Sequence, residues 1–176
     1  MSKKAKKLLY IAYGSNINLG QMRYRCPTAK RIGTAMLSGY ELTFCSVATI
    51  TPKEGAAVPV LAWELQLQDE QNLDRYEGYP NLYRKQIFES EIDGKPYRAM
   101  AYVMNSVQID PPPRSYFLGI YKGYVANGMD TTYLTDALIR AYQHETVSAS
   151  LLPDEEPDDD MLDDEDEDIG LTQEST

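Results

Sequence analysis

The residue best placed to act as a general base is a glutamate at the end of a short predicted helix. This helix runs from Asp69 to Glu77, and Gly78 fits the left-handed position just past a helix C-terminus. Glu77 faces the negative end of the helix dipole, and nearby tyrosines can shield it from water: Tyr76, Tyr79 and Tyr83. Both effects predict a raised pKa, as a base working near neutral pH requires. The residues alone equally allow a solvated glutamate at a helix end, which is the commoner arrangement.

A second polar group follows the first predicted strand. The apolar run that starts at Leu8 is typical of a buried strand, and it stops at Gly14-Ser15-Asn16, before a short predicted helix over 18–25. Gly14 allows a sharp turn, and Ser15 and Asn16 are good helix N-caps. Such a turn points several backbone N–H groups at one spot, which favours an anion or a developing oxyanion. The same pattern is typical of an ordinary strand-to-helix corner that binds nothing.

Together the two motifs resemble those of the γ-glutamylcyclotransferase-like family, which includes the avirulence-induced-gene-2-like proteins. That family has a Tyr-Gly-Ser-Asn loop near its N-terminus and a Leu-Asp-x-x-Glu-Gly segment, with a tyrosine shortly after. Here the loop comprises residues 13–16, the second motif spans residues 73–78, and Tyr83 follows it. The resemblance extends from about Tyr10 to about Tyr142. Either motif alone is weak, but the two in order form a fairly specific signal.

The resemblance implies an enzyme that cyclises the γ-glutamyl group of a small amine, amino acid or peptide conjugate to 5-oxoproline and releases the amine. It implies that Glu77 is the catalytic residue. The substrate-binding residues it implies are Tyr13, Gly14, Ser15, Asn16, Tyr83 and Tyr116. Among the tyrosines, Tyr13 and Tyr116 rank ahead of Tyr83, although any one of the 14 tyrosines is more often a packing residue. The reaction is intramolecular and requires no nucleophile, metal or cofactor.

A non-catalytic small-molecule or protein binding module on the same fold is the alternative. The family usually has a glycine in the strand before its Val-x-Trp-like core, whereas residues 58–63 read Val-Pro-Val-Leu-Ala-Trp, a change expected to narrow the pocket. Arg25 is expected only to brace the first helix. His144 has no motif that pairs it with Cys26 or Cys45 for nucleophilic catalysis.

The net charge of −10 is unevenly distributed along the 176 residues. Residues 153–176 hold 13 of the 27 acidic residues and no lysine or arginine, so the 17 basic residues exceed the other 14 acidic ones by three. Four of those 17 are lysines near the N-terminus. The body of the protein is therefore nearly neutral, and no basic face for nucleic acid stands out.

These patterns divide the chain into a basic leader (1–6), a γ-glutamylcyclotransferase-like domain (7–145) and a disordered acidic tail (146–176). The tail is expected to aid solubility, with docking on a basic partner or on the leader as sharper alternatives. The apolar run from Leu8 to Ala12 is shorter than a signal-peptide core, no segment approaches membrane-spanning length, and two cysteines suggest no disulfide framework. We therefore expect a cytoplasmic protein; the oligomeric state stays open.

The predicted elements favour an α+β fold with mainly antiparallel strands. Gly39 is expected to separate two strands, Lys53-Glu54-Gly55 to form a turn, and Asp93-Gly94 to form a hairpin turn. The expected strands span 30–37, 40–46, 58–67, 85–92 and 97–104, and the late helices span about 111–126 and 130–142. The resemblance sharpens this fold to a small, mixed, mainly antiparallel β-barrel flanked by helices.

Overall fold

A computed structural model describes residues 8–92 and 94–150. Strands and helices follow in the order β1 (Leu8–Ala12), α1 (Leu19–Arg25), β2 (Lys30–Cys45), β3 (Val47–Leu65), α2 (Leu67–Tyr76), β4 (Tyr83–Ile92), β5 (Lys95–Met104), α3 (Arg114–Ala126) and α4 (Thr132–Ser150). A single 3₁₀ turn, Ser15–Ile17, joins β1 to α1. The predicted leader and most of the predicted tail lie outside the described residues, and α4 continues five residues past the predicted domain end at 145.

The five strands form one sheet in the order β2-β3-β1-β5-β4. Strand β1 runs parallel to β5, with Tyr10 opposite Met100, and the other pairs are antiparallel. The predicted α+β class and the mixed, mainly antiparallel sheet are therefore confirmed.

The sheet is not closed into the predicted barrel. Its two edge strands, β2 and β4, meet through side chains: the Tyr40 and Phe88 rings lie edge to face at 5.2 Å, and Gln86 Nε2 donates to the Tyr40 hydroxyl at 3.4 Å. No backbone ladder joins β2 to β4 within the described ranges. The two edge strands therefore contact each other through side chains without closing the sheet.

The first two long strands are more continuous than predicted. Ser38 pairs with Ala57 and Tyr40 pairs with Pro52, so residues 53–56 stand opposite Gly39 alone. Gly39, with a φ of 82°, therefore marks an irregularity within β2, and the predicted break into two strands is wrong. Backbone pairing between β2 and β3 continues on both sides of this irregularity.

Capping residues and a glycine mark the ends of helices α1 and α2. The Asn18 side chain caps α1 by accepting from the Gly20 and Gln21 amides. Helix α2 begins at Leu67, two residues earlier than expected, because Gln66 is its N-cap and Asp69 is the third residue of a capping box. Gly78, with a φ of 62°, follows the helix as predicted. Gly94 has a φ of 72° in the β4–β5 turn, and Asp93 lies outside the described residues.

Helix α3 lies directly against the 3₁₀ turn. A Cβ on Gly123 would come within 2.8 Å of the Asn18 amide nitrogen and 2.9 Å of the Ile17 carbonyl carbon. Asn18 Nδ2 also donates to the Gly119 carbonyl at 2.9 Å, and Asn127 Nδ2 donates to the Ile17 carbonyl at 3.1 Å. The absence of a side chain at Gly123 thus sets the distance between α3 and the turn. No helix among the described residues is long and apolar enough to cross a membrane.

Candidate active site

All seven predicted site residues line one cavity at the end of β1. The central strand leads into the loop at 14–16, α2 ends at Glu77, β4 begins with Tyr83, and α3 brings Tyr116 in its first turn. The complete lining is Tyr10, Tyr13, Gly14, Ser15, Asn16, Ala48, Glu77, Tyr83, Tyr102 and Tyr116.

Glu77 occupies the C-cap of α2, and its carboxyl accepts a hydrogen bond from Asn16 Nδ2 at 3.1 Å. Burial raises the pKa of Glu77 to about 7, against the smaller lowering effects of the Arg25 charge and the Asn16 hydrogen bond. The direction is the predicted one, but the shielding differs. Tyr76 and Tyr79 are 46% and 41% exposed and lie outside the cavity wall.

The tyrosine hydroxyls around Glu77 differ in what they can still donate. Tyr13 donates to the carbonyl of Tyr102, and Tyr83 donates to the carbonyl of Ala48 at 2.9 Å. The Ala48 amide in turn donates to the Tyr116 hydroxyl at 3.0 Å, so the hydrogen of Tyr116 is not used by that bond. Burial raises the pKa of Tyr116 well above its ordinary value, so this hydroxyl is neutral at pH 7.

Gly14 is required for space rather than for a left-handed backbone. Its φ is −115°, which lies outside the left-handed region. A Cβ on Gly14 would lie 3.1 Å from the Ala48 Cβ and 3.5 Å from the Tyr116 hydroxyl. The loop therefore packs closely against the start of β3 and the start of α3.

The backbone of the loop leaves donors available. The amides of Ile17 and Asn18 bond to the carbonyls of Gly14 and Ser15, which closes the 3₁₀ turn. The amides of Ser15 and Asn16 belong to the first turn and have no partner within it. They are the donors that the sequence pattern assigned to an anion.

Comparisons with known proteins show the family of the chain. The family model described as gamma-glutamyl cyclotransferase, AIG2-like, matches residues 10–121. The chain belongs to this family. It is 27% identical over 146 residues to the gamma-glutamylcyclotransferase of Bos taurus, which covers 75% of this chain and 78% of the bovine protein. The human gamma-glutamylcyclotransferase is 26% identical over 144 residues, covering 73% of this chain and 76% of its own.

A solved structure described as gamma-glutamyl cyclotransferase superposes with a TM-score of 0.68 at 25% identity, over 75% of this chain and 86% of its own. A Bacillus subtilis protein, YkqA, superposes with a TM-score of 0.63 at 18% identity, over 86% of this chain and 57% of its own. The second similarity concerns the fold alone.

Three residues that line the cavity were not predicted from the sequence, Tyr10, Ala48 and Tyr102, and neither were the contacts of Arg25 behind it. Tyr10 and Tyr102 lie side by side, with ring centroids 5.9 Å apart, because β1 and β5 pair in parallel. Arg25 was expected to brace α1, yet it contacts the loop and α2. The one feature of the sequence that could have indicated these contacts was spacing. Arg25 follows Gln21 by four residues and the N-cap Asn18 by seven, a spacing typical of one helix face.

The segment of β3 that lacks the family's usual glycine, residues 58–63, does not reach the cavity. Residues 58–63 are absent from its lining, and Val58, Val60 and Ala62 are fully buried in the core. The expected narrowing of the pocket by this strand is therefore not observed. Within the described ranges, no group of three or more His, Cys, Asp or Glu side chains is arranged to hold a metal ion.

Proposed function

We propose that the protein is a γ-glutamylcyclotransferase that converts a γ-glutamyl amine, amino acid or peptide conjugate into 5-oxoproline and a free amine. The observation that carries this proposal is the Glu77 carboxyl, whose pKa of about 7 and place in the cavity beside the loop suit a base that must also act as an acid. The proteins named gamma-glutamylcyclotransferase that share 26–27% identity with the chain support the same activity.

The reaction moves two protons from the α-nitrogen of the substrate to the leaving nitrogen. The ionised Glu77 takes a proton from the substrate's α-ammonium group, whose pKa lies near ~8. The amine nitrogen then attacks the γ-carbonyl carbon, closing a five-membered ring through a tetrahedral intermediate. The bond from that carbon to the leaving nitrogen breaks as protonated Glu77 gives its proton to that nitrogen. Glu77 then takes the second proton from the ring nitrogen, which leaves neutral 5-oxoproline, and passes it to the released amine, which departs as an ammonium. Ring closure is intramolecular, so the protein's main task is to hold the substrate folded.

Two sets of donors support the binding part of the proposal. The amides of Ser15 and Asn16 are suited to the substrate's α-carboxylate or to the oxyanion that forms at the γ-carbonyl. The Tyr116 hydroxyl is held by the Ala48 amide and keeps its own hydrogen for a substrate oxygen. Tyr13 and Tyr83 donate to backbone carbonyls instead, so we assign them mainly to the shape of the wall.

A screen of γ-glutamyl compounds for released 5-oxoproline tests the proposal and identifies the leaving amine. The panel includes γ-glutamyl amino acids, glutathione, γ-glutamyl polyamines and γ-glutamyl-lysine peptides, with Glu77→Gln as the control for each. Release that depends on Glu77 supports the enzyme. Compounds that bind without release in the parent protein would favour the binding module instead. Action without a cofactor, a cytoplasmic location and a basic partner for the tail remain predictions from the sequence.

A further inference from the structure

Arg25, at the end of α1, joins the loop to the helix that carries Glu77. Its Nη1 donates to Asn16 Oδ1 at 2.7 Å and to Ser15 Oγ at 3.0 Å. Its Nη2 donates to the Tyr76 hydroxyl at 2.7 Å and to Gln21 Oε1 at 2.9 Å, and the guanidinium carbon lies 3.6 Å from the centre of the Tyr76 ring. Arg25 does not line the cavity, so it stands behind the residues that do.

The contact between Arg25 and Asn16 determines which way the Asn16 amide faces. A guanidinium can only donate hydrogen bonds, so the atom of Asn16 nearest to Arg25 has to be the amide oxygen. The amide nitrogen then faces the other way, where it donates to Glu77 Oε1 at 3.1 Å and to the Tyr10 hydroxyl at 2.9 Å. With the amide reversed, its oxygen would face Glu77 and would favour the protonated carboxyl.

We propose that Arg25 is a positioning residue for the reaction, which fixes the Asn16 amide so that it donates to the ionised Glu77 and which ties the loop to α2. The inference rests on the proposed function, since it assigns Arg25 a part in making Glu77 a base. Arg25 acts through Asn16 and through its charge, without touching the substrate.

Arg25 is the charged group that opposes the effect of burial on the pKa of Glu77. The titratable groups that interact electrostatically with Glu77 from the elements packed around it are tyrosines on β1, just after β1, on β4 and on α3. Burial raises the pKa of each, so they stay neutral: Tyr10, Tyr13, Tyr83 and Tyr116. Tyr102 on β5 also lines the cavity, and its pKa is likewise raised. Among the described residues, the Arg25 guanidinium is the cation that lowers the pKa of Glu77.

Removing Arg25 therefore has two effects of the same sign. The lost positive charge and the freed Asn16 amide both disfavour the carboxylate, so Glu77 should ionise only at higher pH. In Arg25→Met we expect the Glu77 titration to move upward by on the order of 1 pH unit. The acidic limb of kcat/KM should move by the same amount.

The experiment compares Arg25→Met, Arg25→Lys and Arg23→Met with the parent protein. Arg23 lies two residues away on the same helix, is exposed and forms no hydrogen bond or ion pair with the loop among the described residues, so it controls for the loss of one positive charge. Two readouts are taken for each variant: the Glu77 carboxyl titration by carbon NMR, identified by its loss in Glu77→Gln, and the pH profile of kcat/KM on an accepted γ-glutamyl substrate.

The proposal expects the upward move in Arg25→Met, a titration near the parent's in Arg25→Lys, which keeps the charge and one donor, and no change in Arg23→Met. If Arg25→Met does not fold, Arg25→Lys still decides. The lysine ammonium keeps the charge but cannot bond to the loop and to α2 together, so the Glu77 titration should match the parent's while kcat falls. A titration unchanged in Arg25→Met, or moved equally in Arg23→Met, overturns the proposal. The NMR titration needs no substrate, so the two ideas can fail separately. An inactive parent protein that still shows these shifts would refute the proposed function, while the effect of Arg25 on the Glu77 titration would hold.

Discussion

Glu77 owes its pKa to the balance between burial and the Arg25–Asn16 pair. Desolvation disfavours the carboxylate, while the guanidinium and the Asn16 amide favour it, and burial has the larger effect. The result, a pKa of about 7, leaves comparable amounts of the basic and acidic forms near neutral pH. A fully exposed glutamate would be a weak base there, and one buried without the pair would seldom be ionised.

Glu77→Gln should lower kcat for ring closure by about 10²–10⁴-fold, since glutamine keeps the shape but cannot accept the proton. Substrate affinity should change much less, because the loop amides and Tyr116 remain. The measurement is 5-oxoproline release alongside calorimetric binding of the substrate. A well-folded Glu77→Gln variant with full activity would remove Glu77 from the mechanism.

The stability of Glu77→Gln relative to the parent should depend on pH. The pKa of Glu77 is about 7 in the folded protein against an ordinary 4.5, so between these values the folded state holds more protons than the unfolded state. The parent's free energy of unfolding should therefore fall as pH rises from about 4.5 to about 7 and then level off. The glutamine variant escapes this loss, so it should be more stable by about 1–3 kcal/mol above pH 7 and equal near pH 4. Urea melts across this range check the sign: a variant advantage that is independent of pH would contradict the shift.

At the level of elements, the site depends on how closely α3 and the loop approach each other and on how α2 is anchored. Gly123 lets α3 touch the 3₁₀ turn, and Gly14 lets the loop touch the start of β3. Helix α2 is held from β4 by Lys85, whose ammonium lies 2.6 Å from Glu70 Oε1 and 2.7 Å from Asp74 Oδ1. These contacts fix where Glu77 and Tyr116 face one another.

Gly123→Ala and Gly119→Ala form a matched pair on one helix. Alanine at 123 would meet backbone atoms at 2.8 and 2.9 Å, whereas alanine at 119 would meet only the end of the Gln21 side chain at 3.0 Å, which can move. We expect Gly123→Ala to lose about 1–3 kcal/mol of stability, and Gly119→Ala to be neutral or up to about 1 kcal/mol more stable through helix propensity. Thermal melts of the two variants test this, and equal stabilities would contradict the close approach.

Gly14→Val should impair substrate binding more than folding, because its side chain would enter the space between Ala48 and Tyr116. The expected result is a KM raised by roughly tenfold or more, for a loss of about 1–3 kcal/mol of binding. Gly20→Ala is the control, since the nearest atom to its Cβ would be 3.4 Å away. If Gly14→Val folds and binds 5-oxoproline as the parent does, the anion site lies elsewhere.

Sequence reasoning found the residues that motifs carry and missed those that tertiary packing brings in. The loop at 14–16, Glu77 and the three tyrosines were placed by spacing and by family resemblance, and they share one cavity. Tyr102 depends on the β1–β5 register, and the role of Arg25 depends on where α2 docks, neither of which local patterns encode. The barrel does not close, which local patterns could not show either, because the Tyr40–Phe88 contact between β2 and β4 joins positions far apart in the sequence.

Across the full chain, the acidic residues are concentrated at the C-terminal end. The C-terminal 24 residues carry 13 acidic groups, while the rest is nearly neutral. Deleting residues 151–176 should leave the melting temperature and kcat unchanged, because this acidic stretch has too few apolar residues to pack on the domain. It should reverse the net charge from −10 to about +3, seen as a switch from anion- to cation-exchange retention. A truncated protein that melts at lower temperature would instead assign the tail a place on the domain.

The two tyrosines that wall the cavity from β4 and α3 both attach to the main chain of Ala48, one to its carbonyl and one to its amide. A residue-by-residue mutational survey changes side chains, so it would register only the methyl of Ala48 and overlook this attachment. Replacing the 47–48 peptide bond by an ester, through chemical ligation, removes the amide donor and leaves every side chain intact. The position of these two tyrosines in the cavity wall thus depends on the main chain of Ala48, and an alanine at that position does not indicate this dependence in the sequence.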